Sequence, residues 1–94
     1  MEIQQINDTK KGYFEASEDG KEAGKMSYTW AEDSKFIIDH TEVSDEFGGK
    51  GVGKKLLMAI VDYARNNNLK IIPLCPFAKS VFDKNEDIRD VLFS

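Results

Sequence analysis

Gly48-Gly49-Lys50-Gly51-Val52-Gly53-Lys54-Lys55 places four of the chain's seven glycines within six positions. Glycines let a backbone approach a ligand closely and present its N–H groups. A helix beginning just after them adds partial positive charge, so the arrangement suits a phosphate group. Two further side chains are candidates for chemistry. Cys75 is the only cysteine and His40 the only histidine. A thiol before a helix N-terminus is biased toward thiolate, the nucleophilic form, and an imidazole can accept a proton near neutral pH. Each also has a plain structural reading. Cysteine is often a small buried hydrophobe, a strand histidine is often solvated, and a glycine loop can be only a tight turn.

These residues need elements to hold them. An apolar run at Phe36-Ile37-Ile38 continues through His40-Thr41-Glu42-Val43 and reads as a strand before the loop. After the loop, Val52, Leu56, Ile60, Tyr63 and Ala64 recur at helical spacing, widened by Leu57 and Val61, and the Asn66-Asn67-Asn68 run supplies a stop. Lys70 to Cys75 reads as a short strand, and Pro76 can open a following helix carrying Phe77, Val81 and Phe82. Asn85 is placed to cap a last turn holding Ile88, Val91 and Leu92.

Upstream, residues 1–6, Tyr13–Ala16 and Glu22–Ala31 read as strands joined by short turns. The third has period-two alternation, with Met26, Tyr28 and Trp30 on one face as core rather than ligand contacts. Short turns favour an antiparallel meander, and the strand–helix–strand crossover requires strands four and five to run parallel. The expected fold is α+β: a mixed sheet packed with one long helix and short C-terminal helices. Strand alternation would put Asp39 and Thr41 on one face of strand four, His40 and Glu42 on the other.

Residues 1–94 are expected to form a single domain. A formal net charge of −4 argues against general nucleic-acid affinity and permits a basic partner, such as a polyamine or a lysine-rich tail. One cysteine excludes an intramolecular disulfide and argues against a zinc cluster; no metal site is expected. The polar N-terminus does not resemble a signal peptide and no run approaches membrane-spanning length. The expected location is cytoplasmic, without membrane association.

Three phosphate-loop patterns compete. The Walker A loop requires Ser or Thr where this chain has Lys55. The dinucleotide fingerprint opens a doubly wound sheet, not a strand that follows a meander. Residues 48–53 instead resemble the pyrophosphate-binding motif of the GNAT superfamily of N-acetyltransferases: Arg or Gln, two residues, Gly, one residue, then Gly or Ala. The departure is Gly48, which stands where the family has Arg or Gln. The resemblance covers about residues 26 to 75.

That resemblance implies acetyl-CoA as donor, held by Gly48, Gly49, Lys50, Gly51, Val52, Gly53 and Lys54. It implies backbone pairing of Thr41, Glu42 and Val43 with the pantetheine arm, which passes where strands four and five splay. Pro73, lacking an N–H, would assist that separation or is an ordinary edge proline. The resemblance puts Cys75 beside the acetyl group. Family members often protonate the leaving thiolate with a tyrosine after the fifth strand, and this chain has none beyond Tyr63. Cys75 resembles instead the cysteine of a small single-domain subfamily. Two routes to an unidentified amine, on a small molecule or a protein, therefore stay open: direct transfer, or transfer through acetyl-Cys75 with His40 as a candidate base. A non-catalytic acyl-CoA-binding or regulatory module is the alternative, and a nucleotide-phosphate binder a weaker third.

Overall fold

Alternating apolar residues and tight turns build most of the molecule as one sheet. The computed structural model describes residues 1–93. Strands β1 (Glu2–Asn7), β2 (Lys11–Glu18), β3 (Lys21–Glu32) and β4 (Lys35–Val43) form an antiparallel meander. A short 3-10 turn, Asp45–Phe47, leads through the glycine loop into helix α1 (Val52–Asn66). Strand β5 (Lys70–Pro73) returns parallel to β4, giving the order β1-β2-β3-β4-β5. Helix α2 (Pro76–Lys84) and a 3-10 segment, Glu86–Val91, complete the described chain. The mixed α+β architecture is thus the expected one. Strand five is two residues shorter than the sequence suggests, because the chain leaves the ladder at Pro73 and turns into α2.

The helical stripe read from the sequence is the buried face. Val52, Leu56, Leu57, Ile60, Val61 and Ala64 pack onto one face of the sheet. Each large aliphatic side chain so buried contributes about 1.5–3 kcal/mol. Tyr63 lies at the edge of this stripe, its ring stacked on Phe36 and meeting Phe14 edge-on. Tyr28 is fully buried and satisfies its hydroxyl by accepting from Gln5 Nε2 and donating to Asn7 Oδ1. Trp30 is half-buried and gives its indole N–H to the same Asn7 oxygen. Helix α1 ends at the asparagine run. Asn67 donates its side-chain amide to Tyr63 O, and Asn68 takes a positive φ of 56°.

Asn85 does not cap the final turn with its side chain. It occupies the cap position but donates to Val81 O, closing the end of α2 instead.

Gly24 is the close approach that lets α1 lie on β3. A Cβ there would sit 2.8 Å from Val52 Cγ1 and 2.9 Å from Glu42 O. The second neighbour is backbone and cannot swing away. Gly24→Ala is therefore expected to cost about 1–3 kcal/mol and to lower Tm by at least about 4 °C, read by calorimetry; an unchanged Tm would refute this packing.

Candidate active site

The site begins where two paired strands part. β4 and β5 pair from Lys35–Lys70 to Ile38–Pro73. One more backbone bond, Cys75 N–H to Ile38 O at 3.0 Å, closes the seam. Beyond it β4 runs on through Val43 while the other chain enters α2, so the β5-side edge of residues 39–43 has no strand partner among the described residues. A free strand edge offers unpaired N–H and C=O groups to an extended, amide-bearing ligand.

On that open stretch the pleat is interrupted. Ser27 pairs with His40 and Tyr28 with Ile38, leaving Asp39 as an extra residue in a bulge. Asp39 and His40 both point away from the helices. Asp39 accepts a hydrogen bond from Thr29, and exposed His40 lies 3.1 Å from Glu42. The bulge thus separates Asp39 from Thr41, which uniform alternation groups on one face. After the bulge Thr41 pairs with buried Met26 and turns toward the helix side. Its Oγ1 lies 3.2 Å from Cys75 Sγ. The sheet separates Cys75 from the His40 imidazole, and the two do not meet.

Cys75 is 6% exposed and occupies the cap position of α2, with Pro76 at the first helical residue. Its side chain makes no capping bond to the helix backbone. Burial pushes the thiol pKa up. The Thr41 hydroxyl, then the backbone N–H groups of Ala78, Phe77 and Thr41, push it down and prevail, so it lies below the ordinary thiol value. Exposed Leu74, Phe77 and Val43 supply apolar surface near this end of the seam.

The glycine loop forms the other half. Phe47 is buried and anchors the approach to it. Gly49 and Gly51 have φ of 79° and 72°, the left-handed conformation that favours glycine. Gly51 is the cap residue of α1, with no side chain to close the first turn. Among the described residues, the N–H groups of Gly49, Gly51, Val52, Gly53 and Lys54 meet no acceptor; the first helical bond is Lys55 N–H to Gly51 O. No acidic residue lies in the first turn, and Lys54 and Lys55 occupy it exposed. Lysines there oppose the helix dipole. An anion would answer both the free N–H groups and that opposition.

The two halves are tied by a contact the sequence reading missed. A Cβ on Gly53 would lie 2.8 Å from the Phe77 ring, so glycine lets α2 approach α1 closely. The available signal was a glycine inside a helical pattern, which often marks close approach. Val52 offers only its N–H to the loop, since its side chain is in the core. Lys50 is exposed, with its ammonium 5.2 Å from the Phe47 ring centre.

The profile of the GCN5-related N-acetyl-transferase family matches residues 13–91. The chain belongs to this family. A GCN5-like candidate N-acetyltransferase from Staphylococcus aureus, solved by NMR, is 43% identical and superposes with a TM-score of 0.74, over 99% of this chain and 88% of that one. The ribosomal-protein-alanine N-acetyltransferase of Brucella melitensis shares the fold at 21% identity and TM-score 0.69, over 82% of this chain and 63% of its own. An aminoglycoside N-acetyltransferase in complex with CoA does so at 14% identity and TM-score 0.64, over 88% of each chain. No curated protein matches the chain.

Within this family member the loop glycines are not equivalent. Gly51→Ala forces a left-handed φ on a residue with a Cβ and should cost about 1–2 kcal/mol. Gly48 has φ −59° and ψ 142°, which any residue adopts, and its Cβ would meet nothing nearer than 3.4 Å. Gly48→Ala should be neutral or stabilising by about 0.4–1 kcal/mol. Urea unfolding of the two variants measures the contrast; equal losses would contradict it.

Proposed function

We propose that this protein is an acetyl-CoA-dependent N-acetyltransferase that moves the acetyl group to an amine through Cys75. The observation that carries the reading is one continuous feature: an uncapped, lysine-flanked helix N-terminus joined by the Gly53–Phe77 contact to a strand seam that opens at a cysteine. CoA matches it in kind. Its pyrophosphate suits the free N–H groups of residues 49 and 51–54, and Lys50 and Lys54 supply counter-charge. Its pantetheine amides suit the unpaired edge of Thr41, Glu42 and Val43. Gly48 contributes no side-chain contact, so the backbone carries the recognition.

The chemistry falls to Cys75. Its sulfur attacks the acetyl carbonyl, an S–C bond forms at Sγ, and the C–S bond to CoA breaks. The attacking species is the thiolate, so the departing CoA sulfur takes its proton from solvent, replacing the one that the thiol released on ionising. The acceptor amine, arriving neutral, then bonds to the same carbonyl carbon, and its surplus proton returns to Sγ as the thioester breaks. One thioester replaces another in the first half, which keeps that step near neutral in free energy. His40 stands on the opposite face and takes no part in activating the sulfur, so the depressed thiol pKa supports the attack without a neighbouring base. The absence of both that base and a tyrosine after β5 favours, as a second reading, a module that binds acyl-CoA without turnover.

Intact-mass analysis after incubation with acetyl-CoA separates these readings. The proposal expects one acetyl group on the wild type, released by hydroxylamine and absent from Cys75→Ala, while that variant still binds CoA. Binding without an adduct on any residue overturns the Cys75 route, and turnover with an amine then separates direct transfer from the module; no binding defeats all three. Gly48→Arg restores the family's side chain and should gain about 1 kcal/mol, roughly fivefold in Kd for CoA. Calorimetric titration checks it, and weaker binding would contradict the loop alignment.

A further inference from the structure

The bulge at Asp39 has a consequence for Cys75. By adding one residue to β4 it turns Thr41 inward, opposite buried Met26. A hydroxyl facing an apolar side of a sheet needs a hydrogen-bond partner. Among the described residues Cys75 Sγ, at 3.2 Å, is the only side-chain or backbone partner that Thr41 Oγ1 has. Without the extra residue, regular alternation would place His40 or Glu42 in register with the helix side instead.

We propose that Thr41 is the positioning residue of Cys75: its hydroxyl, turned inward by the Asp39 bulge, fixes the sulfur at the open end of the β4–β5 seam and donates a hydrogen bond to it in the charged form. The inference rests on the reading of Cys75 as the acetyl carrier. A thiol is a weak donor and acceptor, whereas a thiolate accepts strongly and cannot donate. The Thr41 O–H therefore stabilises the charged state more than the neutral one. The backbone N–H groups of Phe77 and Ala78 act in the same direction, and burial opposes them.

The charged groups on the surrounding elements are exposed. On β4, His40 and Glu42 pair with each other on the far side of the sheet. On the loop and α1, Lys50, Lys54 and Lys55 are exposed, as is Lys79 on α2. On β3, the residue opposite Thr41 is Met26, and on β5 the neighbouring positions are Ile71, Ile72 and Pro73. The Thr41 hydroxyl and the backbone N–H groups of the first turn of α2 then act on its protonation against burial.

The test uses iodoacetamide, which reacts with thiolate and needs no CoA, on wild type, Thr41→Val and Thr41→Ser. Valine keeps the shape and removes the hydroxyl; serine keeps the hydroxyl. Because the hydroxyl lowers the thiol pKa, its loss moves the reactivity inflection to higher pH, by about one unit in Thr41→Val. A higher pKa also raises intrinsic nucleophilicity, so at a pH below both inflections the rate falls only about threefold rather than tenfold. Thr41→Ser returns the inflection to within about 0.3 units of wild type. Coincident wild-type and Thr41→Val profiles would overturn the proposal, as would a Thr41→Ser profile displaced as far as that of Thr41→Val. A melting curve on each variant shows that the compared proteins are folded. If acetyl-CoA leaves no adduct while the alkylation profiles shift as stated, the acetyl-carrier reading fails and the positioning role stands.

Discussion

The constraint on which the rest depends is the early end of the β4–β5 ladder. Parallel strands joined through a helix normally continue as long as both chains can pair. Here pairing stops at Ile38–Pro73; alternation from Lys70, whose N–H bonds Ser34 O, turns the Pro73 nitrogen to the outer edge, so Pro73 is an edge proline and the ladder ends where the chain bends toward α2. The Cys75 N–H fastens the departing chain to Ile38 O, so the separation starts at a fixed point rather than fraying. Pro76 then commits the backbone to a helix. A free strand edge, a sulfur at the fork and a helix N-terminus behind that sulfur all follow from this one termination.

The glycine-rich segment divides its work among positions that look alike in sequence. Gly49 and Gly51 supply backbone conformations that favour glycine. Gly53 supplies contact, letting Phe77 of α2 rest against α1, and Gly24 does the same for α1 against β3. Gly48 does neither. The loop is thus held from below by packing and shaped above by its dihedrals, leaving its N–H groups uncapped and without an acceptor among the described residues. The lysines that follow add charge of the sign that a helix N-terminus does not favour. Such a local conflict is characteristic of functional sites, where a ligand resolves it.

Much of this was legible in the sequence because it depends on periodicity. The α1 stripe repeats every three or four residues over fifteen positions and has one plausible buried face. The tight turns left the meander little freedom, and strand–helix–strand fixed the parallel pair. What escaped was local departure from regularity. The bulge at Asp39 inserts one residue without changing the composition of the strand, so alternation carried Thr41 and Asp39 to the same face when the structure separates them. His40 and Cys75, plausible partners by type, fall on opposite sides for the same reason. Asn85 had a capping residue type at a helix boundary, but its amide found the carbonyl of Val81 behind it first. The Gly53–Phe77 contact joins two helices and has no short-range signature beyond the helical glycine itself.

The central claim is that the uncapped end of α1 and the open edge of β4 bind one molecule together. The most direct measurement is a two-dimensional amide NMR titration of the protein with acetyl-CoA. The account predicts saturable shifts of the amides of Gly49, Gly51, Val52, Gly53 and Lys54 together with those of Thr41 to Val43 and Cys75, along one binding curve. Shifts confined to the loop, and reproduced in full by ATP, would mean a phosphate site unconnected to the seam and would contradict it.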